Sequence, residues 1–388
     1  MKIRSVQARW LHVPIPYEQQ HVSDFGRIGS FDSVLVRIDT ECGLVGYGEA
    51  KEEVGSEGNS HALVTLINRK FAPLLVGQDA RDINRLGEVL YNGPRDHYAL
   101  SRGHVFPILG RRGITISAIS GIDMALWDLL GKRLDVPVWQ LLGGRKAARL
   151  PAYASGGWAD ATGIGDQLLG YVERGGFKAV KMRVGVIDGD PVNSARRVHA
   201  ARQALGAGIG LACDAHGTYT VSEARQFCRL VEDANLMWFE EPVTGDDKRG
   251  LAEVRASTSI PIATGESEFN RFDFRDLAEL RAADIFQPDL AICGGISEAM
   301  RIGAIASAWN LRMAPHLWTG ALAFAAGMHV AAASPAGWIL EYSLGANPML
   351  HELAEERFEV SDGMVEIPDR PGLGVTINQD FVERFTVT

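Results

Sequence analysis

At 388 residues the chain exceeds what one hydrophobic core usually serves, so a large barrel-type domain with a smaller companion is expected. A composition of 46% hydrophobic and 22% charged residues excludes disordered and fibrous architectures. The net charge of −9 opposes a field that would gather nucleic acid or anionic lipid, so an anionic substrate needs cations placed locally.

Met1-Lys2-Ile3-Arg4-Ser5-Val6 is followed by no apolar run of signal-peptide type, and no uncharged stretch reaches the roughly 18 residues of a membrane span. A cytoplasmic address with no nucleic-acid or membrane partner is expected. Ile3 to Val13 alternates in part, and Ser33 to Ile38 meets Leu44 to Glu49 across a turn containing Gly43, which reads as a hairpin-led small domain. The glycine spacing in Gly43-Leu44-Val45-Gly46-Tyr47-Gly48 is wrong for a dinucleotide fingerprint, and no Walker loop occurs. Helical patterns follow at Asn59 to Arg69, Asp82 to Leu90 and Ile116 to Leu134, the last with Ile119, Ile122, Ala125, Leu126 and Leu129 on one face. Asn92 to Gly113 gathers Arg95, His97, Arg102, His104, Arg111 and Arg112 among Tyr98 and Phe106. It reads as a solvated basic loop, or as a segment that folds over the site and binds a distal carboxylate. Cys42, Cys213, Cys228 and Cys293 lack paired spacing and are expected to be buried free thiols.

From Pro151 the texture becomes βα repetition. Eight candidate strands can be read: Ala152 to Ala154, Ala179 to Arg183, Gly210 to Asp214, Met237 to Glu240, Pro261 to Thr264, Ile285 to Pro288, Arg312 to Pro315, and Trp338 to Leu340. Eight parallel strands close a barrel, and their C-terminal ends share one rim. Asp214, Glu240, Glu266, Asp289, His316 and Glu341 recur at steps of 23 to 27 residues at these ends, so their side chains should converge. A single acidic residue there could be a helix N-cap, but six ionisable residues in succession point to a site. Asp214, Glu240 and Glu266 end three consecutive strands. Their oxygen-only ligand set favours a hard cation, Mg²⁺, which keeps positions open for water and substrate. The alternative is a salt-bridge network with nearby arginines.

Several motifs carry a resemblance. Trp238-Phe239-Glu240-Glu241-Pro242, Thr264-Gly265-Glu266, and Gln287-Pro288-Asp289 with Gly294-Gly295-Ile296-Ser297-Glu298 are similar to the metal-ligand and acid–base strands of the mandelate racemase subgroup of the enolase superfamily. Ser117 to Asp128 resembles that family's helix before the barrel, and Pro371-Gly372-Leu373-Gly374 its C-terminal segment. The resemblance implies an α/β fold: a modified (β/α)7β TIM-type barrel over residues 126–350, an α+β capping domain over 1–125, and a segment 351–388 returning to the cap. Cap loops Tyr17 to Phe31 and Lys51 to Asn59 would close over the mouth and set selectivity. His21, Arg27, Arg102 and Trp318 are the expected substrate contacts. Symmetric assemblies are common for such enzymes, so a homo-oligomer is expected.

Asp289 beside His316 orients the ring and raises its pKa, as suits the His base found in this superfamily. Strand alternation puts Lys181 and Arg183 of Lys181-Met182-Arg183 on one face. The family commonly has Lys-x-Lys here, and Arg183 is a poor base but a good carboxylate clamp, which disfavours two-base racemisation. Alternation likewise brings His216 of Asp214-Ala215-His216 beside the metal, in a pattern resembling galactonate and mannonate dehydratases. Glu341 matches a last-strand glutamate whose protonated form donates a hydrogen bond to the enediolate. The resemblance thus implies a Mg²⁺-dependent aldonate or aldarate dehydratase. His316 would take the proton alpha to the carboxylate, and His216 would protonate the departing 3-hydroxyl to give a 2-keto-3-deoxy acid. A lactone cycloisomerase or an epimerase using the same enediolate is the nearest alternative, and a catalytically silent sugar-acid binding protein the one from another class.

Overall fold

The computed structural model describes every residue except 25, 56, 93–101, 104–109 and 388. Arg95, His97, Tyr98, His104 and Phe106 of the basic segment therefore lie outside the described residues. In chain order the N-terminal strands are β1 (Ile3–Pro14), β2 (Val22–Ser23), β3 (Gly26–Arg27), β4 (Ser30–Thr40) and β5 (Val45–Ala50). β1, β4 and β5 form an antiparallel sheet, and β2 with β3 a separate small hairpin. Alternation divides β4 between two cores. Val34, Val36 and Ile38 face the helices of the cap, whereas Phe31 and Leu35 join the core of the barrel.

Helix Ile114–Leu134 presses onto β5. A Cβ at Gly48 would stand 2.0 Å from the carbonyl oxygen of Gly121, and one at Gly46 2.3 Å from that of Ala125. Those glycines serve close packing of helix on sheet. The helix is long and apolar enough to cross a membrane, but its apolar window is 78% buried in the fold, which makes it a core helix. It also runs unbroken past residue 125, so the boundary expected there falls inside one element. The helix expected to stop near Arg69 instead continues through a π turn (Leu66–Phe71) to Leu75. Phe71 and Leu75 extend its buried face, and the Asn68 side chain bonds both backbone groups of Ala8.

The barrel strands are β6 (Arg149–Gly156), β7 (Ala179–Arg183), β8 (Gly210–Asp214), β9 (Phe239–Glu240), β10 (Ile262–Thr264), β11 (Ile285–Phe286), β12 (Arg312–Met313) and β13 (Leu340–Ser343). They run parallel in sequence order; β13 pairs with β6, and a bridge from Met313 to Gly337 joins β12 to the start of β13. Each of the first seven is followed by a helix, so the ring is (β/α)7β. Tyr153, Ala179, Ala212, Trp238, Ala263, Ile285, Ala314 and Ile339, one from each strand or from the residue adjoining it, form a single layer inside it. Two residues further along, the same inner face presents Lys181, Asp214, Glu240, Gln287, His316 and Glu341 at the C-terminal rim. On β10 that place falls to Gly265, whose φ of 129° bends the chain and gives the next residue, Glu266, to the rim.

The C-terminal segment first adds the hairpin β14 (Val360–Ser361) and β15 (Met364–Glu366) antiparallel to the start of β6. It then returns to the cap, where Val387 N–H bonds Trp10 O at 2.9 Å. Asp128 joins the three parts: it accepts from Tyr47 N (2.9 Å), Lys132 Nζ (2.6 Å) and Leu373 N (3.0 Å). Cys213, Cys228 and Cys293 are buried as expected. Cys42 is exposed, because it lies in the turn between β4 and β5.

His329, in the buried helix Ala321–Ala333, accepts from Trp139 N at 3.2 Å through Nδ1 and donates to Leu373 O at 3.2 Å through Nε2. Burial holds its pKa down at about 4 against an ordinary 6.5. Its contribution to stability is therefore complete above pH 6.5 and disappears as pH falls through 4. Chemical denaturation at pH 7.5 and 4.5 should show the wild type losing about 2–3 kcal/mol more than His329→Gln over that interval. Equal losses would show that this ring does not contribute to acid lability.

Candidate active site

The rim brings together all nine residues expected to hold metal or move protons. Lys181 lies at the centre, its ammonium 3.2 Å from Asp214 and 3.1 Å from Glu341, with a third bond to Glu240. Glu240 also accepts from Trp238 Nε1 (2.9 Å) and Gln287 Nε2 (2.7 Å). Arg183 bonds Asp214 and contacts Nε2 of His216. His316 donates through Nδ1 to Asp289 Oδ2 at 2.8 Å and directs Nε2 toward Glu266 Oε2, 3.6 Å away. Asp289 is itself fixed by Ala291 N–H at 2.7 Å.

His216 reaches the rim by a route that alternation did not anticipate. β8 ends at Asp214, and His216 follows in a left-handed turn with φ 45°. Its N–H bonds Asp214 Oδ1 at 3.0 Å, which turns the ring back over the site. Asp214, His216 and Glu266 then offer ligand atoms within 4.8 Å of one another. Glu266 Oε2 is buried with no hydrogen-bond partner among the described residues.

Electrostatics sort these groups. Burial would raise Asp214, but Arg183 and Lys181 outweigh it and hold this carboxylate well below the usual range. Burial and the like charge of Asp214 push Glu240 up to about 8. Glu241 is likewise raised well above the usual carboxylate range, by burial and then by Glu266, Asp214 and Glu240. Burial would lower His316, yet Glu266, Glu341 and Asp289 raise it to about 9. Glu341 corrects an expectation. Burial favours its neutral form, but Lys181, His316 and the N–H of Leu317 (2.9 Å) bring it down to about 2, so it is an ionised acceptor and not a protonated donor.

Two of the four expected substrate contacts line the mouth. His21 stacks on Trp158 with ring centroids 4.0 Å apart, and its edge meets Trp318 at 5.9 Å. Burial and Arg183 lower its pKa to about 4. A narrow cavity of about 20 Å³ runs between these rings and Arg183, His216 and His316. Arg27 is instead exposed on the hairpin and lies over the Tyr17 ring at 4.7 Å, outside that cavity. Arg102 is exposed in a turn and lines neither this cavity nor a second one of about 550 Å³ that shares His216 and Glu266 with it. The cations on the wider cavity are Arg112 and Lys248, paired with Asp273 (2.9 Å) and Glu268 (2.8 Å).

Sequence reasoning missed several groups. Glu241, next to the expected ligand, also faces the wider cavity. Glu49 accepts from Ser33 Oγ (2.9 Å), Gly320 N (2.7 Å) and Ala323 N (3.1 Å), and Lys51 donates to Trp318 O at 3.0 Å. These two residues fasten the cap to the barrel beside the site. Asp24 of the first cap loop bonds His216. Polar residues in an otherwise apolar β5 were the available signal for Glu49; Asp24 offered none.

Comparison with known proteins agrees with this architecture. Residues 5–143 match the model of the mandelate racemase/muconate lactonizing enzyme N-terminal domain, and residues 163–381 that of the enolase C-terminal domain-like family. The chain is 35% identical over 356 residues to an arabinonate dehydratase of Saccharolobus solfataricus, covering 91% of this chain and 90% of that one. It is 34% identical over 400 residues to a D-galactarolactone cycloisomerase of Agrobacterium fabrum, covering 99% of both. A racemase structure from Streptomyces coelicolor with bound magnesium superposes with a TM-score of 0.86 at 29% identity, covering 99% of this chain and 100% of that one. A barrel rim carrying this ordered set of carboxylates, and a cap sewn to it by Asp128 and Glu49, accompany sequence similarity along nearly the whole length: the chain belongs to the mandelate racemase/muconate lactonizing enzyme group of the enolase superfamily.

Proposed function

We propose that the chain is a Mg²⁺-dependent acid-sugar dehydratase that converts an aldonate to a 2-keto-3-deoxy acid. The observation that carries this reading is the placement of two imidazoles across the ring. His216 follows β8 and His316 follows β12, four strands apart in a ring of eight, with Glu240, Glu266 and Asp289 at the ends of the strands between them. Removal of a proton from one carbon and delivery of a proton to a leaving hydroxyl on the next needs such a pair.

Asp214, Glu240 and Glu266 are the residues that would hold the ion. The fit is supported by Glu266 Oε2, which is buried with no hydrogen-bond partner among the described residues, and by the crowding of carboxylates in which burial and the charge of Asp214 raise Glu240. Mg²⁺ prefers oxygen ligands, which leaves His216 free for proton transfer. Bound there, Mg²⁺ supplies positive charge to the substrate carboxylate and, by neutralising Glu266, brings His316 toward the neutral form that a base requires. His316 Nε2 takes the proton alpha to the carboxylate while Asp289 holds Nδ1. Lys181 and Arg183 offset the charge that accumulates on the carboxylate oxygens. Loss of the 3-hydroxyl, protonated by His216, releases water and leaves an enol that becomes the 2-keto-3-deoxy acid. Arg183 stays charged, so it cannot itself serve as a second base for racemisation.

The wider cavity suits the hydroxylated tail of the sugar. Arg112 and Lys248 are already neutralised by Asp273 and Glu268, so among the described residues of this cavity no surplus cation awaits a second carboxylate. Aldonates are favoured over aldarates on that ground. Cycloisomerisation is the second reading, favoured by the relative that matches 99% of the chain. Incubating the Mg²⁺-loaded protein with diastereomeric aldonic, aldaric and lactone substrates decides between them. The expected result is a 2-keto-3-deoxy acid, lighter than its substrate by one water, from at least one aldonate. Products isomeric with their substrates throughout the panel would replace dehydration with isomerisation.

A further inference from the structure

Asp24 and His216 are 192 positions apart, yet Asp24 Oδ2 lies 2.8 Å from Nδ1 of His216. Both side chains are almost wholly buried, at 3% and 5% exposure. A carboxylate accepts only, so the ring donates through Nδ1. A guanidinium donates only, so the contact with Arg183 places the lone pair of the neutral ring on Nε2. Ring orientation and tautomer are thus set from outside the barrel, by a loop of the cap. On its own loop His216 sits in a left-handed turn of Asp214-Ala215-His216-Gly217 that brings Nε2 to 3.5 Å from Asp214 Oδ2, while the Nδ1 contact comes from the cap.

We propose that Asp24 is a positioning residue for the reaction: it fixes the His216 ring with its proton on Nδ1 and Nε2 toward the reacting carbon. The inference rests on the dehydratase reading and adds a group from the cap to it. When Nε2 also carries a proton, Asp24 faces the resulting imidazolium. Transfer of that proton to the leaving hydroxyl forms water and returns the ring to the neutral tautomer that its contacts with Asp24 and Arg183 favour, so no other co-reactant is needed. Because Asp24 reaches His216 only from its own loop, the acid is assembled when that loop lies over the mouth. Deprotonation by His316 requires no contact with Asp24, so the two halves of the reaction should separate.

Asp24→Asn and Asp24→Ala test this in the Mg²⁺-loaded protein with two readouts. In D₂O, exchange of the proton alpha to the carboxylate should stay within about threefold of wild type, while keto-acid formation falls about 10²-fold or more. The nitrogen-15 shifts of His216 should report a proton fixed on Nδ1 in wild type and an averaged tautomer in Asp24→Ala. Wild-type keto-acid formation in both variants overturns the proposal. So does an equal fall in exchange and dehydration, or a His216 tautomer unchanged by Asp24→Ala. If the wild type forms no keto acid from any acid sugar, the dehydratase reading fails, whereas the tautomer measurement still decides whether Asp24 positions the ring.

Discussion

His316→Asn should lower both α-proton exchange and keto-acid formation by about 10²–10⁴-fold, with Mg²⁺ affinity little changed. Asparagine approximates the shape of the ring and can still donate to Asp289, but it has no basic nitrogen. Neither cation of β7 can substitute. Lys181 is surrounded by Asp214, Glu240 and Glu341, which overcome the effect of burial and keep it protonated. Arg183 is held charged more firmly still, since the same carboxylates outweigh its burial. The substitution leaves Asp214 and Glu240 untouched, so titrating Mg²⁺ alongside the kinetics separates loss of the base from loss of the ion. Exchange at the wild-type rate in His316→Asn would remove this residue from the role of base.

The barrel and most of its rim were legible because two local regularities encode them. A period of two places Lys181, Asp214, Glu240 and His316 directly above an apolar layer whose members can be counted strand by strand. Spacing of one strand, one helix and two loops then puts successive strand ends side by side. Neither regularity describes a loop that departs from the pattern. His216 was assigned to the right place for an incomplete reason, since a left-handed turn and not the pleat returns it to the site. Arg27 was drawn inward by its membership of the cap loop, but a hairpin exposes one side of that loop, and the Tyr17 ring receives the guanidinium there. Charge state was equally out of reach. Protonation of Glu341 was expected from the family resemblance alone, and only the fold shows Lys181 at 3.1 Å. The Asp24–His216 and Glu49–Gly320 bonds join cap to barrel across long stretches of chain, and nothing periodic marks such partners.

Glu266→Gln separates a cation site from a salt-bridge network by the sign of its effects. If Glu266 serves mainly to pair with neighbouring cations, removal of its charge leaves His316 and Arg183 undercompensated, and the metal-free protein loses about 3–5 kcal/mol. The geometry argues otherwise. Among the described residues Glu266 Oε2 has no hydrogen-bond partner and its nearest cation is the His316 ring at 3.6 Å, and its charge raises Glu240 and Glu241. Attraction and repulsion therefore offset each other, and metal-free stability should stay within about 1 kcal/mol of wild type. Added Mg²⁺ distinguishes the two proteins. At a hundredfold excess over Kd, a bound ion stabilises the native state by about 2.7 kcal/mol, which the wild type should show as a rise in Tm. Glu266→Gln should lose most of that rise together with its dehydratase activity, because glutamine replaces an anionic ligand with a neutral amide oxygen. A wild-type Mg²⁺ response in Glu266→Gln, or a metal-free form destabilised by several kcal/mol, would return these carboxylates to a structural role.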